Sequence, residues 1–310
     1  MSDGASQYLR AFSLVVFGTD LNGLDLSELR CKFVVKRSDT MTPNVADIRV
    51  YNLDEKTALR IRNEFKKVIL QAGYEGNYGV IFQGNIKQVI IGRESATDTF
   101  IDIVAGDGDR AYNFAIVNAT IAAGGTQEDQ VQAAIGAMGE KGVTAGHLGE
   151  FPSEKLPRGK VMYGNARNYL RDVAETSDKS WSIQDEKVTF VSKKSYLPGE
   201  RVVLTSKTGM IGTPQQTNEG VNIKTLLNPM IKIGGRVQID NASIERLKIN
   251  LTVPNSAANI PAPLTADGVY YVLVAEHQGD TRGVEWYTSL VCLNVDVTSN
   301  PINSVQTNYG

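Results

Sequence analysis

Histidine and cysteine are nearly absent from this 310-residue chain, which has two of each. His147 and His277 leave little room for acid–base or metal chemistry. No GxSxG elbow supplies a nucleophile to either of them. His147 lies in the glycine-rich stretch AGHLGE, and His277 ends the apolar stretch YYVLVAEH, where a hydrogen-bonded strand residue is expected. Cys31 and Cys292 form no CxxC pair and no metal-ligand spacing. Both sit among apolar neighbours and read as buried free thiols, since free cysteine packs as a small hydrophobe. A Cys31–Cys292 disulfide is disfavoured in a reducing compartment.

Long hydrophobic runs are missing as well. No stretch of about 18 apolar residues could cross a bilayer as a helix, and the polar start, Met1 to Arg10, has no signal-like apolar centre. These features imply synthesis in a cytoplasm. A one-sided charge is also lacking. The formal net charge is −2, and the basic residues are scattered in pairs such as Lys36-Arg37, Lys66-Lys67 and Lys193-Lys194. Sequence-independent nucleic-acid binding needs clustered Lys and Arg. Neither a Walker A motif nor GxGxxG occurs, so bound nucleotide is unsupported.

What is present is a β-rich, helical, β-rich succession. Over residues 8 to 112, strands are expected at 30–37, 46–53, 67–74, 79–91 and 99–105, where apolar and polar residues alternate. Asp54 caps a short helix through about Phe65, and Gly92 to Asp98 reads as a hairpin loop. Over residues 113 to 198, Thr126 and Asp129 form a capping box. Val131, Ala134, Ile135 and Met138 then recur at helical spacing. Residues 139 to 163, rich in Gly and Pro, read as a long loop. Asn165 starts a second helix with Ala166, Tyr169, Leu170, Val173 and Ala174 on one side, and a hairpin follows around Gln184 to Lys187. Over residues 199 to 299, strands are expected at 201–205, 220–227, 236–239, 246–253, 269–278 and 285–297. Gly234-Gly235 reads as a tight hairpin turn, Pro254 to Asp267 as a surface loop, and residues 300 to 310 as a tail.

Carboxylates are plentiful, and Asp107 with Asp109 in AGDGDR is the most suggestive pair for glycan hydrolysis. Alternating Asp and Gly is equally ordinary turn chemistry, and the stretch lacks the distal ligands of a calcium loop. Trp181 and Trp286 lie in alternating strands and read as core, not as sugar-binding platforms. No catalytic, cofactor-binding or metal-ligating residue is assigned, and no cofactor is expected.

Four phrases together resemble the baseplate hub proteins of contractile-tailed phages, relatives of the late-control-D-type tail proteins. They are NLDEKTALRIRNEFKKVILQAGYEGNYGVIFQGNI (52–86), YLRDVAETSDKSWSIQDEKVTFV (169–191), GMIGTPQQTNEGVNIKTLLNPMIKIGGRVQI (209–239) and GVYYVLVAEHQGDTRGVEWYTSLVC (268–292). The resemblance implies a mainly β fold with an α+β insert: a first tube-like β-barrel (1–112), the insert (113–198), a second tube-like barrel (199–299) and a C-terminal tail. It implies a non-enzymatic homotrimer in the virion's tail baseplate, fitting a sixfold tail tube to a threefold central spike. Expected partners are the spike and the tube or its initiator, then tape-measure and wedge proteins, with DNA passing unbound. Alternatives are a tail-borne glycan-acting enzyme, a carbohydrate-binding adhesin, or the hub of a bacterial contractile injection particle.

Overall fold

The computed structural model describes residues 9–18, 23–246 and 261–295. In the first β-rich part, strands β1 (Arg10–Phe17), β2 (Gly23–Asp25), β3 (Cys31–Ser38) and β4 (Val45–Tyr51) precede helix α1 (Glu55–Glu64). Strands β5 (Lys67–Tyr74), β6 (Asn77–Arg93) and β7 (Thr99–Gly106) follow it. Alternation decides what points inward: Cys31, Phe33 and Val35 of β3 and Ala46, Ile48 and Val50 of β4 are buried, their neighbours less so. The α1 cap forms as expected, with the Asp54 carboxylate accepting the Thr57 N–H, and Ala58 and Ile61 face the core. The strand order is β2-β1-β5-β6-β7-β4-β3. The long β6 is its corner: Asn77 to Asn85 pairs with β5, and Asn85 to Arg93 with β7. Register breaks lie on both sides of this switch, as strands bend at bulges. Both groups of strands cover one core that includes Leu14, Val16, Phe33, Ile48, Leu70, Phe82 and Ile103.

The middle part comprises α2 (Asp109–Phe114), β8 (Ile116–Ile121), α3 (Gln127–Gly139), β9 (Thr144–Ala145) and β10 (Lys160–Asn165). Then come α4 (Ala166–Thr176), β11 (Lys179–Gln184) and β12 (Lys187–Ser192). The Thr126–Asp129 capping box closes reciprocally at the start of α3. The segment expected as one long loop is only partly so, because β9 pairs with β12 and β10 with β8. Residues 109 to 121, where no helix or strand was expected, form α2 and β8. Here tertiary pairing overrides weak local signals. Val131, Met138, Met162, Leu170, Trp181 and Phe190 share the core of this part.

In the last part, β13 (Val202–Val203), β14 (Met210–Gln216), β15 (Val221–Leu226), β16 (Arg236–Gln238), β17 (Val269–Asp280) and β18 (Trp286–Leu293) surround a core including Ile223, Val237, Tyr270 and Leu290. All but the first residue of the expected strand at 246–253 and the first half of the expected 254–267 loop lie outside the described residues, as do residues 300 to 310. Gly234 does turn the chain, at φ 77°. No hairpin results, however: β16 pairs in parallel with β13 and antiparallel with β17. Strand β14 carries a register break and had escaped the alternation pattern.

The two β-rich parts share one 13-stranded sheet, because β17 pairs with β3 from Val274–Ser38 to Asp280–Lys32. Trp286, in the last strand, sits in the first core. Its ring meets Phe33 edge-on at 5.4 Å, and its Nε1 donates to the Gly73 carbonyl at 3.0 Å. Trp181 and Trp286 are 1% and 2% exposed, so neither is a surface platform. Replacing Trp286 with Ala should cost about 3–5 kcal/mol, the usual loss for a large aromatic in a core. A urea unfolding curve reads this; a midpoint unchanged from wild type would show that the two halves do not depend on this contact.

Candidate functional site: a polar junction of three parts

The Asp107 carboxylate is 1% exposed and sits where the middle part meets the sheet. The hairpin of β11 and β12 turns at Asp185 and Glu186, both with positive φ (55° and 59°). Two such residues in succession are the signature of a type I′ turn, which favours Asn, Asp or Gly first and Gly second. Asp185 suits the first position, but the left-handed conformation costs Glu186 roughly 1–2 kcal/mol. Asp107 offsets that cost: its two oxygens accept the Asp185 and Glu186 N–H groups, each at 2.7 Å. Gly108 beside it has φ 63°, and a Cβ there would lie 2.8 Å from Ile183 and 2.9 Å from Val143. The AGDGDR stretch is therefore both a turn and an anchor.

Other side chains complete the junction. Asn44 donates to the Ile183 carbonyl at 3.0 Å and to Gln184 Oε1 at 2.9 Å, while its own carbonyl accepts the Ser38 N–H at 3.0 Å. Buried Arg37 donates to the Ile81 carbonyl at 3.1 Å and reaches Asp185 Oδ2 at 3.1 Å. Glu186 accepts from Lys67 at 2.8 Å and Gln83 at 2.7 Å. Lys232, from the last part, approaches Asp185 at 3.9 Å. A second knot ties the same three parts. Asp39 accepts from Ser180 Oγ at 2.6 Å and from the Tyr271 hydroxyl, and its N–H donates to the Leu273 carbonyl at 2.9 Å.

Burial sets the electrostatics here. It pushes the Asp107 carboxyl up to about 7, against the lowering effect of the Glu186 N–H and nearby Arg37. Asp39 rises to about 6 for the same reason. Burial, with Arg37 and Lys232 nearby, holds His277 down to about 3, so its ring is neutral and shares a 2.8 Å hydrogen bond with Thr288.

As chemistry, the arrangement is closed. Asp109 is not beside Asp107 in a cleft; it opens α2 and pairs with Lys87 at 3.0 Å. A glycosidase pair needs both carboxylates to face substrate, and Asp107 faces protein. His147 is exposed and contributes its carbonyl to Phe190. Among the described residues neither histidine hydrogen-bonds to a carboxylate, and no group of three metal-ligating side chains occurs. Cys31 and Cys292 are free and buried in different cores, and burial pushes the Cys31 thiol up to about 12. The AGDGDR stretch and the hairpin turn at Asp185-Glu186 could each be singled out from sequence, but they lie almost 80 residues apart and nothing local shows that one holds the other.

The comparisons agree on a fold. The chain aligns with the 43 kDa tail protein of prophage MuSo2 from Shewanella oneidensis (TM-score 0.58, 7% identity, 92% of this chain and 98% of that one). It aligns with a tail protein from Neisseria meningitidis MC58 (0.58, 10%, 93% and 97%). A third match is an Escherichia coli type VI secretion component described as similar to T4 bacteriophage tail proteins gp27 and gp5 (0.53, 9%, 85% and 73%). The class these define is the mainly β tail-protein fold. No curated protein sequence matches the chain. Residues 161–245 match the family model described as baseplate hub gp41, a span holding α4, the anchored hairpin and Lys232. That match spans about a quarter of the chain, and the structural likenesses, at 7–10% identity, show its fold.

Asp107→Asn keeps the shape but sets an NH2 against a backbone N–H. The variant should lose about 2 kcal/mol, the cost of one buried unsatisfied group. Each part of the pH response has a definite sign. A carboxyl held higher in the fold than in the unfolded chain binds its proton more tightly when folded, so the Asp107 contribution to stability falls as pH rises from about 4 to about 7. Asp39 acts in the same sense up to about 6, whereas His277, held down to about 3, acts in the opposite sense below 6.5. Asp107→Asn should remove the first fall and shift the slope upward, leaving the opposed parts due to Asp39 and His277. Urea midpoints across this range measure it; an unchanged slope would place the titration elsewhere.

Proposed function

We propose that the chain is the hub of a contractile phage tail baseplate, a homotrimer whose ring fits a sixfold tail tube to a threefold central spike. The observation that carries this reading is that one polypeptide holds two β-rich parts with separate cores in one continuous sheet. Three such chains offer six β units to the tube and three identical positions to the spike. Heterologous contacts of this kind close into a ring when the rotation per unit is right.

In this reading residues 1–112 and 199–299 are the two tube-like modules, 113–198 is the insert, and 300–310 is a tail. The polar junction fixes the insert on the ring, so that the β modules and the outer surface move as one body. The role is geometric and not enzymatic. Neighbours in the virion would be the spike below, the tube or its initiator above, and tape-measure and wedge proteins around. A net charge of −2 suits a lumen through which DNA passes without adhering. A second reading, the equivalent hub of a bacterial contractile injection particle, is favoured by the likeness to the type VI secretion component.

Native mass measurement of the purified chain and imaging of assembled tails test the proposal together. Three copies at the spike end of the tail are expected; a single copy, six copies, or a position along the sheath would overturn it. Incubation with peptidoglycan should release no fragments, and hydrolysis abolished by Asp109→Asn would favour a glycan-acting enzyme instead.

A further inference from the structure

Strand edges are where a β protein meets other chains, and among the described residues most edges here are shut. At one end of the large sheet β14 is broken between Ile211 and Gln215, and Glu245 bridges Pro214 and Gln216 at 2.8 Å each. At the other end β2 has three residues. Strands β9 and β13 have two each, and β11 is buried or half-buried throughout. Such breaks, short edges and covers are how natural sheets avoid stray pairing.

The ribbon of β8 and β10 differs. Its β10 edge is blocked by the Tyr169 hydroxyl, which accepts the Tyr163 N–H at 2.8 Å and donates to the Tyr163 carbonyl at 3.2 Å. Both main-chain groups of Tyr163 therefore point away from β8. Opposed residues of an antiparallel pair either exchange both bonds or neither, so the groups of Asn118, opposite Tyr163, point away from β10. The Ala166 N–H donating to the Ala115 carbonyl at 2.9 Å fixes the same alternation independently. Ile116, Asn118 and Thr120 thus present outward N–H and C=O groups. Among the described residues no hydrogen bond reaches them. The strand, IVNATI, has no charge, no proline, no glycine and no register break. Phe114, Ile116, Val161 and Tyr163 are exposed beside it, the last two at 73% and 74%.

We propose that the free edge of β8 takes an extended, uncharged strand from a different baseplate protein, making the ribbon a three-stranded sheet. Outward groups on every second residue match an extended backbone. The apolar face beside them would cover the added strand's alternate side chains. This rests on the trimeric hub reading, which also selects the occupant. Within the described residues a neighbouring copy offers no open edge except its own β8. Pairing β8 with β8 is a two-fold contact, which a three-membered ring does not use around its circle.

Proline tests this cleanly. Asn118→Pro removes an outward N–H that β10 does not use, so the ribbon should fold, as proline is tolerated on edges facing solvent. Thr120→Lys, which adds an edge charge, serves as a second variant. In the isolated chain the Asn118 and Thr120 amides should exchange hydrogen quickly, and in purified tails at least tenfold more slowly. Tails carrying either variant should keep the chain at the spike end and lose one partner protein, with unchanged thermal melting of the variant chain. Equal exchange in free chain and tails, or a full complement of partners in both variants, would overturn the proposal. So would a concentration-dependent dimer of the free chain that Asn118→Pro abolishes, since the occupant would then be a second copy. Absence of wild-type chain from the spike end would instead defeat the hub reading.

Discussion

Pairing between β3 and β17 joins segments some 250 residues apart in the chain and turns two β-rich parts into one sheet. Closing so long a loop is entropically costly, though the cost grows only slowly with length. It is met by contacts that form once the strands are side by side. Trp286 enters the first core, and Arg30 pairs with Asp280 at 2.8 Å. Arg10 donates to the Gly283 carbonyl at 2.6 Å. Contacts of this range make a fold slow to assemble.

The same strand positions the polar junction. Arg37 and Asp39 lie at and just beyond the end of β3, and each reaches both the insert and the last β part directly or through a shared partner. Burying this many charged groups is not by itself a source of stability, because desolvation offsets most of the attraction. What it supplies is a fixed orientation. The left-handed turn at Asp185 and Glu186 fits only one carboxylate in one place, so the insert docks in a single pose. In the hub role proposed above, that rigidity would serve to align a tube with a spike.

Edges decide how such a molecule meets its neighbours. Most are shortened, broken or covered, and the hydroxyl of Tyr169 closes one by occupying both groups of a single residue. Against that background the bare, uncharged edge of β8 is an exception within the described residues. It lies on the insert and not on the large sheet, so pairing there leaves the two β cores undisturbed.

Much of this protein was legible along the chain. Alternation located β3, β4, β5 and β7 to within a residue or two. Asp54, Thr126 and Asn165 marked where helices begin, because a cap is a bond between near neighbours. The burial of Trp181 and Trp286 followed from their place in alternating strands. The family resemblance agreed with the fold class. The pairing of β8 with β10, the break in β14, the failure of Gly234-Gly235 to make a hairpin and the partner of Asp107 were not legible. Each is settled by groups brought together from distant positions, and an N–H or a carboxylate shows its partner only when the chain is folded around it. Sequence by itself determined the local elements and their inward faces, since those depend on spacings of two to four residues. Tertiary structure alone decided which halves share a sheet, which carboxylate holds the turn and which edge stays open, because hydrogen bonding across space is blind to order along the chain.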